Sequence, residues 1–332
     1  MPTTPRPRWK LATIICTVFL GALFIVLLSL SALAANDAIT LKRAIVKSMG
    51  TTPSLPDILD LPVPDLPAPK TFNTAVGRYA SLLVARLQYY RAAQLSAPLV
   101  PPGLTELAKI NSLAGPYNAW LLRDTNNTIW LVFRGTATRD EWEKDLQLQQ
   151  VPFLTQLSLR SIRRIAYPKM ITAPMNRVNI FGSGIGVHSG FFTIYMSIRD
   201  AILAIINDNP VTRVVITGHS LGAAQALYAT LDLAVTYPST TFDTFVFGSP
   251  RVGNSEFASA LVSLPNLNSL VLLANTCDLV PNVPLAVQPM LSHPYTPIIY
   301  THPGAAMHFF TDNRHGWIPN HMINVYIDYL SQ

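Results

Sequence analysis

The sequence predicts an α/β domain in which a mainly parallel sheet carries helices on both faces. Three observations support this. Short β-branched and aromatic runs recur through the second half of the chain, helical stretches stand between several of them, and one such run leads straight into a glycine-flanked serine that opens a helix. Strands that alternate with helices pair in parallel, because each crossover helix returns the chain to the same end of the sheet, and both faces are then covered. The 332 residues, 49% of them hydrophobic, are enough for one such domain with extensions.

The N-terminal part has a different character. No charge occurs from Leu11 to Ala35, and at about 1.5 Å per residue a helix of this length crosses a bilayer core of about 30 Å. Ala32-Leu33-Ala34, behind the basic Arg6, Arg8 and Lys10, also fits a signal-peptidase site. Residues 1–35 are therefore expected to be a signal peptide or a signal-anchor transmembrane helix, and both readings stay open. In either case the basic flank stays cytoplasmic, so the remainder is expected in the secretory lumen or outside the cell, released or membrane-anchored. Residues 36–70 carry Pro53, Pro56, Pro62, Pro64, Pro67 and Pro69 and read as a linker. The net charge of +6 gathers around the apolar segment, with Lys42, Arg43 and Lys47 beyond it, and so argues against a nucleic-acid partner. Cys16 lies in the apolar segment and Cys277 deep in the later domain, which fits neither a disulfide framework nor a metal site; no cofactor is expected.

Residues 71–332 form the expected folded domain. Val76, Tyr79, Leu83, Val84, Leu87 and Tyr90 recur at helical spacing and predict a helix from Thr71 to about Gln94. Tyr117 to Arg123 and Thr128 to Phe133 flank Asp124-Thr125-Asn126-Asn127 as a hairpin, and Asn126-Asn127-Thr128 is a glycosylation sequon in that turn. Strands are expected at Val178 to Phe181, Arg213 to Thr217, Thr244 to Phe247, Ser269 to Leu273 and Pro297 to Tyr300. Helices are expected at Phe191 to Asn207, Gly222 to Thr236, Ser255 to Leu264 and Met322 to Leu330.

The chemistry gathers at Gly218-His219-Ser220-Leu221-Gly222. A serine on a sharp strand-to-helix turn takes a strained backbone conformation, and side chains two residues to either side would collide; glycine removes both collisions. Ser220 should then expose its hydroxyl at the carboxyl end of a buried strand. A serine hydroxyl is a weak nucleophile at neutral pH and needs a base, which itself needs an orienting acid. Among the downstream acids, Asp232 falls inside the elbow helix, Asp243 before its strand and Asp328 near the end of the last helix. Asp278 follows directly on Leu270-Val271-Leu272-Leu273, where catalytic groups of such sheets collect. For the base, His308 between Met307 and Phe309 reads as buried and His302 as part of a turn, while His315 and His321 remain level on spacing. Oxyanion donors are expected from the Leu221 amide and from Thr136, after the strand that ends in Phe133-Arg134-Gly135.

From about Ala75 onward the chain resembles the class 3 lipase family, the fungal-type lipases and their feruloyl esterase relatives of the α/β-hydrolase fold. The resemblance rests on Phe133-Arg134-Gly135-Thr136, Val187-His188-Ser189-Gly190-Phe191, the Gly218 to Gly222 elbow, Phe247-Gly248-Ser249-Pro250-Arg251-Val252-Gly253-Asn254 and Asp278-Leu279-Val280-Pro281, all in order. It implies an α/β-hydrolase preceded by an N-terminal apolar helix, a lid segment holding Trp142 and Leu146, and His321 rather than His315 as the base, with Tyr326 a few residues on. It further implies a two-step acyl transfer by Ser220, His321 and Asp278 on esters of glycerolipids at a lipid–water interface or membrane surface. Only Trp142 and Leu146 give the lid an apolar face, beside Arg139, Asp140, Glu141, Glu143, Lys144 and Asp145, so weak interfacial activation is expected and soluble or aryl esters remain a rival substrate class. A non-catalytic binding protein of the same fold is the bland alternative.

Overall fold

The chain divides into two units, Met1–Thr51 and Thr52–Gln332, and every residue described lies in the second. The computed structural model describes residues 63–64, 73–89, 95–112, 115–135, 150–152, 184–288, 298–313 and 319–332. The expected leader, nearly all of the linker and the expected strand Val178 to Phe181 lie outside them.

Helix α1 (Thr74–Tyr89) starts where Asn73 accepts from the amides of Ala75 at 2.9 Å and Val76 at 3.2 Å, satisfying donors that a helix start leaves open. There follow β1 (Leu104–Ser112), β2 (Gly115–Asp124), β3 (Ile129–Phe133), β4 (Gln150–Pro152), β5 (Gly186–His188), α2 (Ser189–Asp208), β6 (Arg213–His219) and α3 (Leu221–Thr236). The chain continues through β7 (Thr241–Phe247), α4 (Ser255–Val262), β8 (Leu267–Asn275), β9 (Val287–Gln288), β10 (Ile298–Ile299), β11 (Met307–Phe310) and α5 (Ile323–Tyr329). Among the described residues, seven strands make the central sheet in the order β1-β2-β3-β6-β7-β8-β11. From β3 to β11 all neighbours are parallel, and β1 and β2 extend one edge antiparallel.

Alternation along each strand assigns its side chains to two cores. Leu131, Phe133, Val214, Ile216 and Val246 face α2, α3 and α4, whereas Trp130, Val132, Val215, Phe245 and Phe247 face α1 and α5. Helix α2 is long and apolar enough to cross a membrane by composition alone, but half of that stretch is buried inside the protein. Its Arg199 is held by Asp232 of α3 through two bonds, of 2.6 and 3.0 Å, which marks α2 as a core helix. At the β2–β3 turn the Asp124 carboxylate accepts from the amides of Asn126 and Thr128 and from the Trp130 indole, so the expected hairpin is fixed by its first residue.

Three expectations need correction. The run Pro297 to Tyr300 does not join the main sheet: Ile298–Ile299 pairs with Val287–Gln288 in a separate two-stranded ribbon. The edge strand is Met307–Phe310 instead, with His308 only half-buried and Phe309 62% exposed, because an edge strand covers one face alone. Asp243 lies inside β7 rather than before it; it is fully buried and bonded to Arg213 and Asn268 at 2.7 Å each.

Candidate active site

The parallel strands all end on one side of the sheet, and the site is built where β6, β7 and β8 stop. Ser220 follows β6 with φ 58° and ψ −124° and caps α3. Its amide donates to the Phe247 carbonyl of β7 at 3.0 Å, which holds the turn against the neighbouring strand. A Cβ on Gly218 would lie 2.2 Å from the Gly222 carbonyl oxygen, and one on Gly222 would lie 2.6 Å from that of Phe133 and 2.7 Å from that of Arg134. Any side chain at either position would force the elbow apart.

The elbow brings Ser220 to His321 across 101 residues of chain. His321 Nε2 lies 2.8 Å from Ser220 Oγ, and His321 Nδ1 lies 2.6 Å from Asp278 Oδ2. With Nδ1–H donating to the carboxylate, Nε2 is left to accept the serine proton. The three side chains are buried, with 4%, 8% and 1% of their residues exposed in the order Ser220, His321, Asp278. Asp278 stands three residues past β8; its Oδ1 accepts from the Val280 amide at 2.8 Å and its Oδ2 from the Tyr326 hydroxyl at 2.6 Å as well as from His321. Burial first, and then the Asp278 charge, push the Tyr326 hydroxyl well above its ordinary pKa, so it remains a donor.

Of the other expected site residues, Leu221 opens α3, so its amide belongs to the first turn, where no intrahelical acceptor is available. Thr136, Trp142 and Leu146 lie outside the described residues, as does His315. His302 donates through Nε2 to the Pro281 carbonyl at 2.8 Å and braces the loop after Asp278. A cavity of about 300 Å³ lined by Phe310, Thr311, Asp312, Asn313, Tyr329 and Gln332 lies at the β11 edge and includes none of Ser220, His321 and Asp278.

Two positions have roles that the sequence did not assign. Asn275, at the end of β8, donates from Nδ2 to the Asp312 and Asn320 carbonyls at 2.8 and 3.3 Å and accepts at Oδ1 from the Cys277 and Asp312 amides at 3.1 and 2.9 Å. It thus ties the loop of the acid to the residue before the base. Gly248, at φ 54°, closes over the Asp278–His321 bond: a Cβ there would sit 2.9 Å from Tyr326 Oη and 3.0 Å from both Asp278 Oδ2 and His321 Cε1. The glycine-rich segment after β7 was the available sequence signal for Gly248; a lone asparagine gave none for Asn275.

The sheet order, the helices on both faces and the elbow place the chain in the α/β-hydrolase fold. Residues 130–288 match the family described as lipase (class 3). Among relatives, the lipase of Rhizomucor miehei is 32% identical over 179 residues, covering 51% of this chain and 41% of that protein. Phospholipase A1-II 1 of Oryza sativa subsp. indica is 31% identical over 173 residues, covering 46% and 39%. The chain thus spans about two fifths of the length of these relatives. A solved propeptide complex of the Rhizomucor miehei lipase shares the fold, with a TM-score of 0.50 and 23% identity over 81% of this chain and 80% of that one.

Proposed function

We propose that the protein is a serine hydrolase of carboxylic esters, acting on glycerolipids through an acyl-enzyme. The observation that carries this reading is the unbroken chain from Ser220 Oγ through His321 to Asp278, at 2.8 and 2.6 Å, on the carboxyl side of the parallel sheet. His321 Nε2 takes the Ser220 proton as Oγ attacks the ester carbonyl, and Asp278 holds the imidazole in the tautomer that can do so. The Leu221 amide and the Thr136 amide stabilise the oxyanion of the tetrahedral intermediate. His321 then protonates the leaving alcohol, and a water activated by the same nitrogen attacks the acyl carbonyl and releases the acid. Nothing in these steps calls for a metal or a cofactor.

The glycerolipid assignment is supported by two relatives, one named a lipase and one a phospholipase A1. Soluble or aryl esters are the competing substrates. Rates on triacylglycerol, phospholipid and aryl esters of matched acyl length separate the two, and a preference of about tenfold or more for the aryl series would reverse the assignment. For the lid carrying Trp142 and Leu146 we expect weak interfacial activation: the tributyrin rate should pass smoothly through the solubility limit, and a sharp jump there contradicts it. We place the domain on the lumenal or extracellular side, secreted or held by residues 1–35. The basic flank of that segment and the exposed sequon residue Asn126 support this placement.

A further inference from the structure

The residue before the nucleophile lies across the ring of the base. His219 Nε2 is 2.7 Å from the backbone carbonyl oxygen of His321. A carbonyl only accepts, so Nε2 carries the hydrogen and Nδ1 is left with a lone pair. Among the described residues Nδ1 has no hydrogen-bond partner, although His219 is only 1% exposed. The two imidazoles lie tilted against one another, with centroids 4.5 Å apart and planes inclined by 32°. The Tyr326 ring meets His219 edge-on at 5.9 Å. A proton added to Nδ1 would be a dry, unpaired charge beside the one His321 acquires. Burial first, and then His321 itself, accordingly hold the His219 pKa well below its ordinary value.

We propose that His219 is a positioning residue for the base: its Nε2–H fixes the His321 backbone, and its ring lies against the His321 imidazole. This rests on the ester-hydrolase reading, in which the His321 imidazolium forms twice per turnover. The groups facing His321 have distinct tasks. Asp278 takes Nδ1–H, Ser220 meets Nε2, Tyr326 acts through the shared Asp278 oxygen, and Gly248 covers Cε1. His219 brings a second aromatic ring to 4.5 Å from that of His321. A neutral aromatic face attracts a cation, most strongly where water is excluded.

The two contributions separate by substitution. His219→Gln keeps an N–H near the position of Nε2 and removes the ring, whereas His219→Phe keeps a ring and removes the donor. The measurement is the titration of His321 by imidazole NMR in the full-length chain with labelled histidine, alongside the rate of Ser220 modification by a fluorophosphonate across pH. His219→Gln is expected to move the acid limb of the labelling profile and the His321 NMR signal change to lower pH, because the imidazolium loses the ring beside it. His219→Phe is expected to leave that titration near wild type and slow labelling about tenfold, because the His321 carbonyl loses its donor. Reduced melting temperatures with wild-type His321 titration and labelling in both variants would show a merely structural residue and overturn the proposal. If the wild-type chain is not labelled while His219→Gln still shifts His321, the ester-hydrolase reading fails and the ring contact stands.

Discussion

Asp278 and Tyr326 meet at 2.6 Å, hydroxyl to Oδ2, on the same oxygen that His321 Nδ1 reaches at 2.6 Å. Tyr326 lies on α5, five residues after His321, which ends the short turn just before that helix, so two neighbouring elements supply the donors to one acceptor atom. Removing the hydroxyl in Tyr326→Phe leaves His321 as the sole partner of Oδ2 among the described residues and loosens the carboxylate. We predict a fall in kcat of about tenfold with KM little changed, corresponding to about 1.4 kcal/mol. Steady-state kinetics on a soluble ester check it, and an unchanged kcat would remove Tyr326 from the positioning network.

Gly248→Ala should be far more damaging than its size suggests. The new methyl would have to occupy space within 3.0 Å of Tyr326, Asp278 and His321, from a backbone at φ 54° that disfavours any side chain. The expected result is a loss of more than about a hundredfold in kcat/KM, with a stability loss of about 1–3 kcal/mol from strain. Parallel activity and denaturant curves test this, and full activity with an intact fold would show that the glycine is not needed there.

Two buried acids should separate activity from stability. Asp278→Asn should cut kcat by about 10³–10⁴, since an amide favours the wrong imidazole tautomer, while the melting temperature changes little. Asp232→Asn should do the reverse. The Asp232 carboxylate holds Arg199 and accepts the Tyr195 hydroxyl at 2.6 Å, so its loss leaves the buried guanidinium with the exposed Asp200, at 3.3 Å, as its carboxylate partner among the described residues and destabilises the fold by about 3 kcal/mol. The folded fraction of that variant should keep its specific activity.

Acid sensitivity has a nameable source in His188. Its Nδ1 caps α2 by accepting from the Phe191 amide at 3.4 Å, and burial lowers its pKa to about 4. The unfolded chain takes up that proton near pH 6.5 while the folded protein resists it, so stability falls as pH drops from about 6.5 to 4. The full loss below that window is about 3 kcal/mol for this group. His188→Asn keeps a capping oxygen and removes the titration, so its stability should fall less than wild type between pH 6.5 and 4. Chemical denaturation at several pH values measures the difference, and parallel losses in both proteins would exclude His188 as the source.

What the sequence made legible was local pattern. The elbow glycines could be read because their reason is steric and lies within five residues, and the helices because an apolar stripe repeats over several turns. Asp278 was accessible through its place after a strong strand. Spacing alone did not separate His321 from His315, since the choice depends on the approach of α5 to the end of β6, about a hundred residues away in sequence. The resemblance favoured His321, and it is His321 that lies beside Ser220 and Asp278. Strand β11 escaped because four residues are too few to show a period of two, and its aromatic Phe309 faces outward. Asn275 matters through contacts that join loops distant in sequence, which no local pattern encodes, whereas Gly248 stood in a quoted motif that did not show what it packs against.

The central claim is that Ser220 is the nucleophile, and the most direct measurement is kcat/KM for glycerolipid ester hydrolysis by the wild-type chain and by Ser220→Ala, with a fluorophosphonate mapped by peptide mass. The expected result is covalent modification of the Ser220 peptide in wild type alone and a loss of about 10⁴-fold or more in the variant, whose fold is unchanged. Ester hydrolysis retained by Ser220→Ala, or modification at another serine, would contradict it.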